Sequence, residues 1–191
     1  MTHPRIAIRA AVKAQLLARP TLTAIVGQRV FLSRYRDLVS EKELPGIRIY
    51  TQSEEVDKDS WESAPREYER TLDCVVEGVV RVTRSDADKL DDKLDQLAWE
   101  IEKALGTDDT LAGNASDVNL ARTAVEVDTD TEATIGIITL VYSVIYTTHP
   151  APDVEAYENF DQAHVDYDVA GGDQAPADRR RDELGNIYAG S

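Results

Sequence analysis

Apolar and polar positions alternate along this chain with two different periods, and the order in which the periods occur predicts its elements. Behind Pro4, a residue suited to the first turn of a helix, Ile8, Ala11, Val12 and Leu16 recur at helical spacing. Pro20 ends or follows that helix, and Gly27 marks a turn before a short strand around residues 30–32. In LPGIRIY, Ile47 and Ile49 alternate with Arg48 and Tyr50, the period of a strand with one buried face. The clearest strand covers residues 66–83: Tyr68, Leu72, Cys74, Val76, Val80 and Val82 share one face, while Glu67, Glu69, Thr71, Asp73, Glu77 and Arg81 share the other. Ser85 is a candidate N-cap for an acidic helix over residues 86–105, whose stripe is Leu90, Leu94, Leu97, Ala98, Ile101 and Leu105, with Gly106 as its stop. Residues 118–128 form a weaker strand candidate and 134–148 a stronger one. The stronger carries Ile138, Leu140, Tyr142, Val144 and Tyr146 on one face and Ile137, Thr139, Val141, Ser143 and Ile145 on the other. Such two-sided apolarity predicts a central strand covered on both faces, one of them by a neighbouring subunit.

Between these elements the polarity rises. Residues 51–65 carry Glu54, Glu55, Asp57, Asp59 and Glu62 and read as a loop or an extended hairpin tip, with Trp61 as a large aromatic that either folds back on its domain or anchors a partner. Residues 107–117 are rich in turn formers. Trp99 projects nearly opposite the apolar stripe of its helix, among Asp88, Asp92, Asp95 and Lys103, which points to a subunit interface. Arg5, Arg9 and Lys13 recur every fourth residue on the first helix; this basic stripe is either a solvated face or meets an acidic neighbour.

The pattern divides the chain into a domain, residues 1–150, and an acidic extended arm, 151–191, where hydrophobic periodicity disappears. The arm has ten acidic and three basic residues, about half of the chain's net charge of -15. Tyr157, Phe160, Tyr167, Leu184, Ile187 and Tyr188 are scattered through it, more apolar surface than a solvating tail needs, so the arm reads as mobile alone and ordered on a partner. At 191 residues and 42% hydrophobic content one core is sustainable. The longest apolar run, residues 135–145, is too short and too interrupted to cross a bilayer, and the opening MTHPRI lacks the charged and apolar regions of a signal peptide. The charge argues against wrapping nucleic acid; it either serves solubility alone or suits a channel through which DNA slides without sticking.

No constellation of residues carries chemistry. Cys74, the single cysteine, lies on an apolar strand face and reads as a small core residue. His3, His149 and His164 have no paired ligand spacing. Asp91, Asp92 and Asp95 lack an accompanying histidine or glycine-rich loop, and DTDTE at residues 128–132 lacks the glycine and terminal glutamate of a calcium loop. With no phosphate loop, dinucleotide fingerprint or nucleophile elbow, no catalytic residue, cofactor or metal is expected.

Six segments together resemble the tail terminator, or tail completion, family of long-tailed bacteriophages: HPRIAIRAAV, ELPGIRIYTQSEE, PREYERTLDCVVEG, DDKLDQLAWEIEKAL, TDDTLAG and LVYSVIYTT. The resemblance covers residues 4–148, roughly three quarters of the chain, and rests on patterns, not on invariant signatures. It implies an α+β fold with helices packed on a largely antiparallel sheet. It also implies a hexameric ring that caps the tail tube, ends its polymerisation and docks the head completion or neck protein while DNA passes through without specific binding. Partners would be further copies of itself, the tail tube protein and the neck protein; the location would be the virion tail or neck after synthesis in the host cytoplasm. The alternative reading is a head-to-tail connector ring. From another class, a small hydrolase using the acidic helix would lose activity with Asp92→Asn while its oligomer stayed intact. Arg5, Arg9, Lys13, Trp61, Trp99, Tyr157, Phe160, Tyr167 and Tyr188 are the candidate interface residues.

Overall fold

The computed structural model describes residues 3–32, 43–57, 67–128 and 133–149. All lie in the first of the two units into which the chain divides, Met1–Pro150. Over the described residues the fold is α+β: a mixed, mostly antiparallel five-stranded sheet with three α-helices.

Helix α1, Pro4–Ala18, starts where sequence places it, with Pro4 in the first turn and the His3 ring accepting from the Arg5 amide at 3.2 Å. Ile8, Val12 and Leu16 form its buried stripe. Pro20 does more than close that helix: it opens a second, α2, Pro20–Val26, which buries Leu22 and Val26. Its end is set by Gly27, whose positive φ of 60° is open to glycine at little cost.

Strand β1, Val30–Phe31, runs parallel to β2, Gly46–Val56. Strand β2 pairs antiparallel with β3, Tyr68–Thr83. A 3-10 segment, Arg84–Lys89, leads into α3, Leu90–Leu105, which carries the chain across the sheet to β4, Asp117–Asp128. Strand β5, Ala133–Thr148, then returns between β3 and β4, giving the order β1-β2-β3-β5-β4. The helix predicted over 86–105 therefore begins late. Asp86 breaks the helical path at φ −113° and ψ 16°, and the Ser85 hydroxyl lies 3.0 Å from that of Thr83 instead of capping a helix. The first turn of α3 instead holds Asp91 and Asp92, which its dipole favours.

The principal core lies between the helices and one sheet face. Leu72, Cys74, Val76, Val80 and Val82 of β3, and Ile138, Leu140, Tyr142, Val144 and Tyr146 of β5, meet Ile47 and Ile49 of β2 and the stripes of all three helices. Two glycines let α3 approach closely. A Cβ at Gly78 would stand 2.6 Å from a Leu97 methyl, and one at Gly136 would stand 2.7 Å from a Leu94 methyl. The cap of α3 comes from elsewhere in sequence: the Gln15 side-chain amide donates to the carbonyls of Ala104, Leu105 and Asp108 at 3.0, 3.2 and 3.0 Å. Ala104 and Leu105 supply the last carbonyls of the helix, where intrahelical partners run out, and Asp108 lies in the turn beyond it.

On the opposite face the burial is partial. Val75 and Val141, cross-strand partners, are buried, and Leu44 and Val79 form a small second cluster with Phe31, Ile135 and Ile137. Of the other outward positions of β5, Thr139, Ser143 and Ile145 are half-buried and Thr147 is exposed. Among the described residues, then, the two-sided strand is fully covered on one face only.

Candidate functional site

The residues singled out from the sequence fall in three places. Arg5 and Arg9 turn towards β2. Arg5 forms an ion pair with Glu54, and Arg9 donates to the Thr51 hydroxyl at 3.3 Å. Glu54 also accepts from Tyr146 and from Arg70, the latter at 3.3 Å, while Arg70 reaches the Thr148 hydroxyl at 2.8 Å. Burial pushes the Glu54 carboxyl up, but the Arg5 and Tyr146 hydrogen bonds and the charges of Arg5 and Arg70 outweigh it and hold the group below its ordinary value. Burial and the same carboxylate raise the Tyr146 hydroxyl to about 12. Two guanidinium groups and a phenol hold this carboxylate in its ionised form, and the cluster ties α1 to the sheet. Two members of the basic stripe thus meet an acidic group, and it belongs to their own chain. Lys13 is half-buried on the same helix.

Of the two readings of residues 51–65, a loop or an extended hairpin tip, the described first part agrees with the hairpin. Strand β2 continues to Val56, passing a one-residue bulge between Thr51 and Glu54 that restores its pairing with Leu72 of β3. Of the acidic residues in this stretch, Glu54 belongs to the network of Arg5, Arg70 and Tyr146. Trp61, beyond it, lies outside the described residues, as do Tyr157, Phe160, Tyr167, Tyr188 and the whole arm.

A second charged cluster holds the helices together. Glu100, the one buried charged residue among those described, accepts from Thr21, from Arg19 at 2.6 Å and from Lys103 at 3.2 Å. The Thr21 and Arg19 hydrogen bonds, aided by Lys103, overcome desolvation and hold its carboxyl at about 2. Cys74 is fully buried, and its thiol is pushed up to about 12 by burial, so it is a core side chain and not a nucleophile.

The third place is exposed. Trp99 is 57% exposed on the outer side of α3, and the Lys103 ammonium sits 4.8 Å from its ring centroid. Strand β4 is the sheet's terminal strand, and three of its apolar side chains stand open: Leu120 at 41%, Val125 at 50% and Val127 at 49%. Their cross-strand partners, Tyr142, Ile138 and Gly136, face the helices, so all three project on the helix-bearing side of the sheet. Sequence reasoning named Trp99 but not this row. The signal was present in Leu120, Val125 and Val127, yet a bulge between Leu120 and Arg122 shifts the phase of alternation between the first of these and the other two.

Among the described residues, no group of three or more acidic, histidine or cysteine side chains is placed to hold a metal ion. No described helix is long and apolar enough to cross a membrane. No protein-family model and no curated protein matches the chain. Among solved structures it is similar to a chain from the virion of a native gene transfer agent particle, with 14% identity, a TM-score of 0.42, and coverage of 76% of this chain and 100% of that one.

Proposed function

We propose that this protein is a structural component of a phage-like virion that closes the tail tube as a ring, a tail terminator. The observation that carries the reading is the long terminal strand β4, with Leu120, Val125 and Val127 exposed, together with the outward Trp99 of α3: apolar surface suited to self-assembly. The order of elements adds support, because helix α1, the β2–β3 hairpin, the acidic helix α3 and the closing β4–β5 hairpin follow the order of the segments that resemble the terminator family, with α2 and β1 inserted after α1. In this role a hexameric ring meets the tube protein on one face and the neck protein on the other. The net charge of -15 lets DNA pass without adhering. The arm over residues 151–191 orders against a neighbouring subunit or a tail or neck partner once assembled.

The test is addition of purified protein to polymerised tail tubes. A ring at one end of each tube, with the mass of a hexamer, is the expected product. Decoration along the tube wall, or no binding, overturns the reading; binding to the portal side of heads alone transfers it to a connector.

A further inference from the structure

Strand β4 is paired through β5 on one side only, and among the described residues nothing pairs with its other edge. A long open edge carrying exposed apolar side chains is a template for another strand, and natural sheets usually block such edges. This one carries no proline and no lysine. Beyond the bulge, the regular run reads Arg122, Thr123, Ala124, Val125, Glu126. Arg122, Ala124 and Glu126 pair with Val141, Thr139 and Ile137, so they share the sheet face away from the helices. Arg122 and Glu126 are exposed and form no ion pair among the described residues.

We infer that β4 pairs antiparallel with β4 of a second copy of this chain about a two-fold axis through Ala124. The sequence of the run is complementary to its own reverse. With Ala124 opposite Ala124 of the other copy, each Arg122 stands across from a Glu126, and each Val125 across from a Thr123. Any other protein would have to supply both the strand edge and the reversed charge order; a second copy supplies them by symmetry. An axis normal to the sheet keeps like faces together, so the exposed Val125 and Val127 of both copies fall in one row between the two α3 helices, each bearing Trp99. Opposite-charge pairs and β-branched pairs across antiparallel strands are the contacts that stabilise a sheet. The contact is isologous and closes on itself, so it does not propagate a ring. It is the form of the free chain, in which the adhesive edge is covered before assembly, and it does not rest on the tail reading.

The test uses the full chain. Sedimentation across the micromolar range should show a reversible monomer–dimer equilibrium. Arg122→Glu and Glu126→Arg should each weaken the dimer about tenfold, because both pairs become repulsive, and the double reversal should restore it. Ala124→Cys places a thiol on the axis, where opposed Cα atoms at roughly 4.5–5.5 Å lie within disulfide range, so mild oxidation should link the two copies; Ala112→Cys, on an exposed turn, should not link. Cys74 is buried and leaves the background clean. A chain that stays monomeric, a dimer indifferent to single reversals, or one that the double reversal fails to restore overturns the pairing. So does a dimer of the Ala124→Cys variant that does not cross-link: it would use another surface. Tail assembly plays no part in these readouts, so they can fail without touching the proposed function.

Discussion

Substituting Ala for Gly78 or Gly136 probes how α3 is seated, and through α3 the position of Trp99. A Cβ at Gly78 would lie 2.6 Å from Leu97 Cδ2 and 3.1 Å from Ile138 Cγ2; at Gly136 it would lie 2.7 Å from Leu94 Cδ1 and 2.9 Å from Leu90 Cδ1. Carbon atoms in a packed core approach to about 3.5–4.0 Å, so each methyl intrudes by roughly 1 Å. The groups it strikes are methyl ends, yet Leu97 and Leu94 are almost wholly buried and have no open space into which to turn. Overpacking of this kind costs about 1–3 kcal/mol, offset by the 0.5–1 kcal/mol or so that Ala gains over Gly within a strand. A net loss of about 1–2 kcal/mol follows for either variant, read as a lower urea midpoint with unchanged slope. The sharper readout is a double-mutant cycle. Gly78→Ala should lose most of its cost when Leu97 is already Ala, and keep it when Leu94 is Ala; Gly136→Ala should show the reverse. Additivity in both cycles, or a stabilising Gly78→Ala, would refute the close seating of α3.

Gln15→Leu removes the side-chain donor that Ala104, Leu105 and Asp108 share at the end of α3 and in the turn beyond it, and should destabilise the domain by about 1–2 kcal/mol in urea unfolding. The Glu100 carboxyl is held at about 2 against an ordinary 4.5, so its contribution is full above pH 4.5 and is lost as pH falls towards 2; acid titration of Glu100→Gln should lack that part of the decline. Tyr142 is buried with no hydrogen-bond partner for its hydroxyl among the described residues, and Tyr142→Phe should leave stability unchanged or raise it by up to about 1 kcal/mol, with a clear loss in thermal unfolding counting against this. Trp99→Ala should fold normally and reduce incorporation into tails more than charge reversal of Lys13 does, Arg5 and Arg9 being held in contacts within the domain; equal incorporation would make Trp99 an ordinary exposed side chain.

The periodic segments of the sequence were legible because burial is one-sided and regular. The stripe of α1, the alternation of β3, and the inward row of β5 from Ile138 to Tyr146 all lie where a period of 3.6 or 2 places them. What escaped was of three physical kinds. Single-residue bulges in β2 and β4 reset the alternation, so an acidic stretch of strand could be read either as a loop or as a hairpin tip, and the exposed row on β4 lost its phase. Helix α2 has only seven residues, too few to show a stripe beyond Leu22 and Val26. Partnerships distant in sequence leave no local mark: nothing near Gln15 announces that it caps α3, and nothing near Glu54 announces Arg5 and Tyr146. For the site, Trp99 was visible because a large aromatic on a charged helix face is anomalous, whereas the open edge of β4 is a property of sheet order, known only once β5 is seen to lie between β3 and β4.

The central claim, that this chain ends tail polymerisation, is tested most directly by the length distribution of tails in particles assembled without it. The account predicts tubes of abnormal and variable length that fail to join heads, corrected when the protein is supplied. Tails of normal length, joined to heads in its absence, would contradict it.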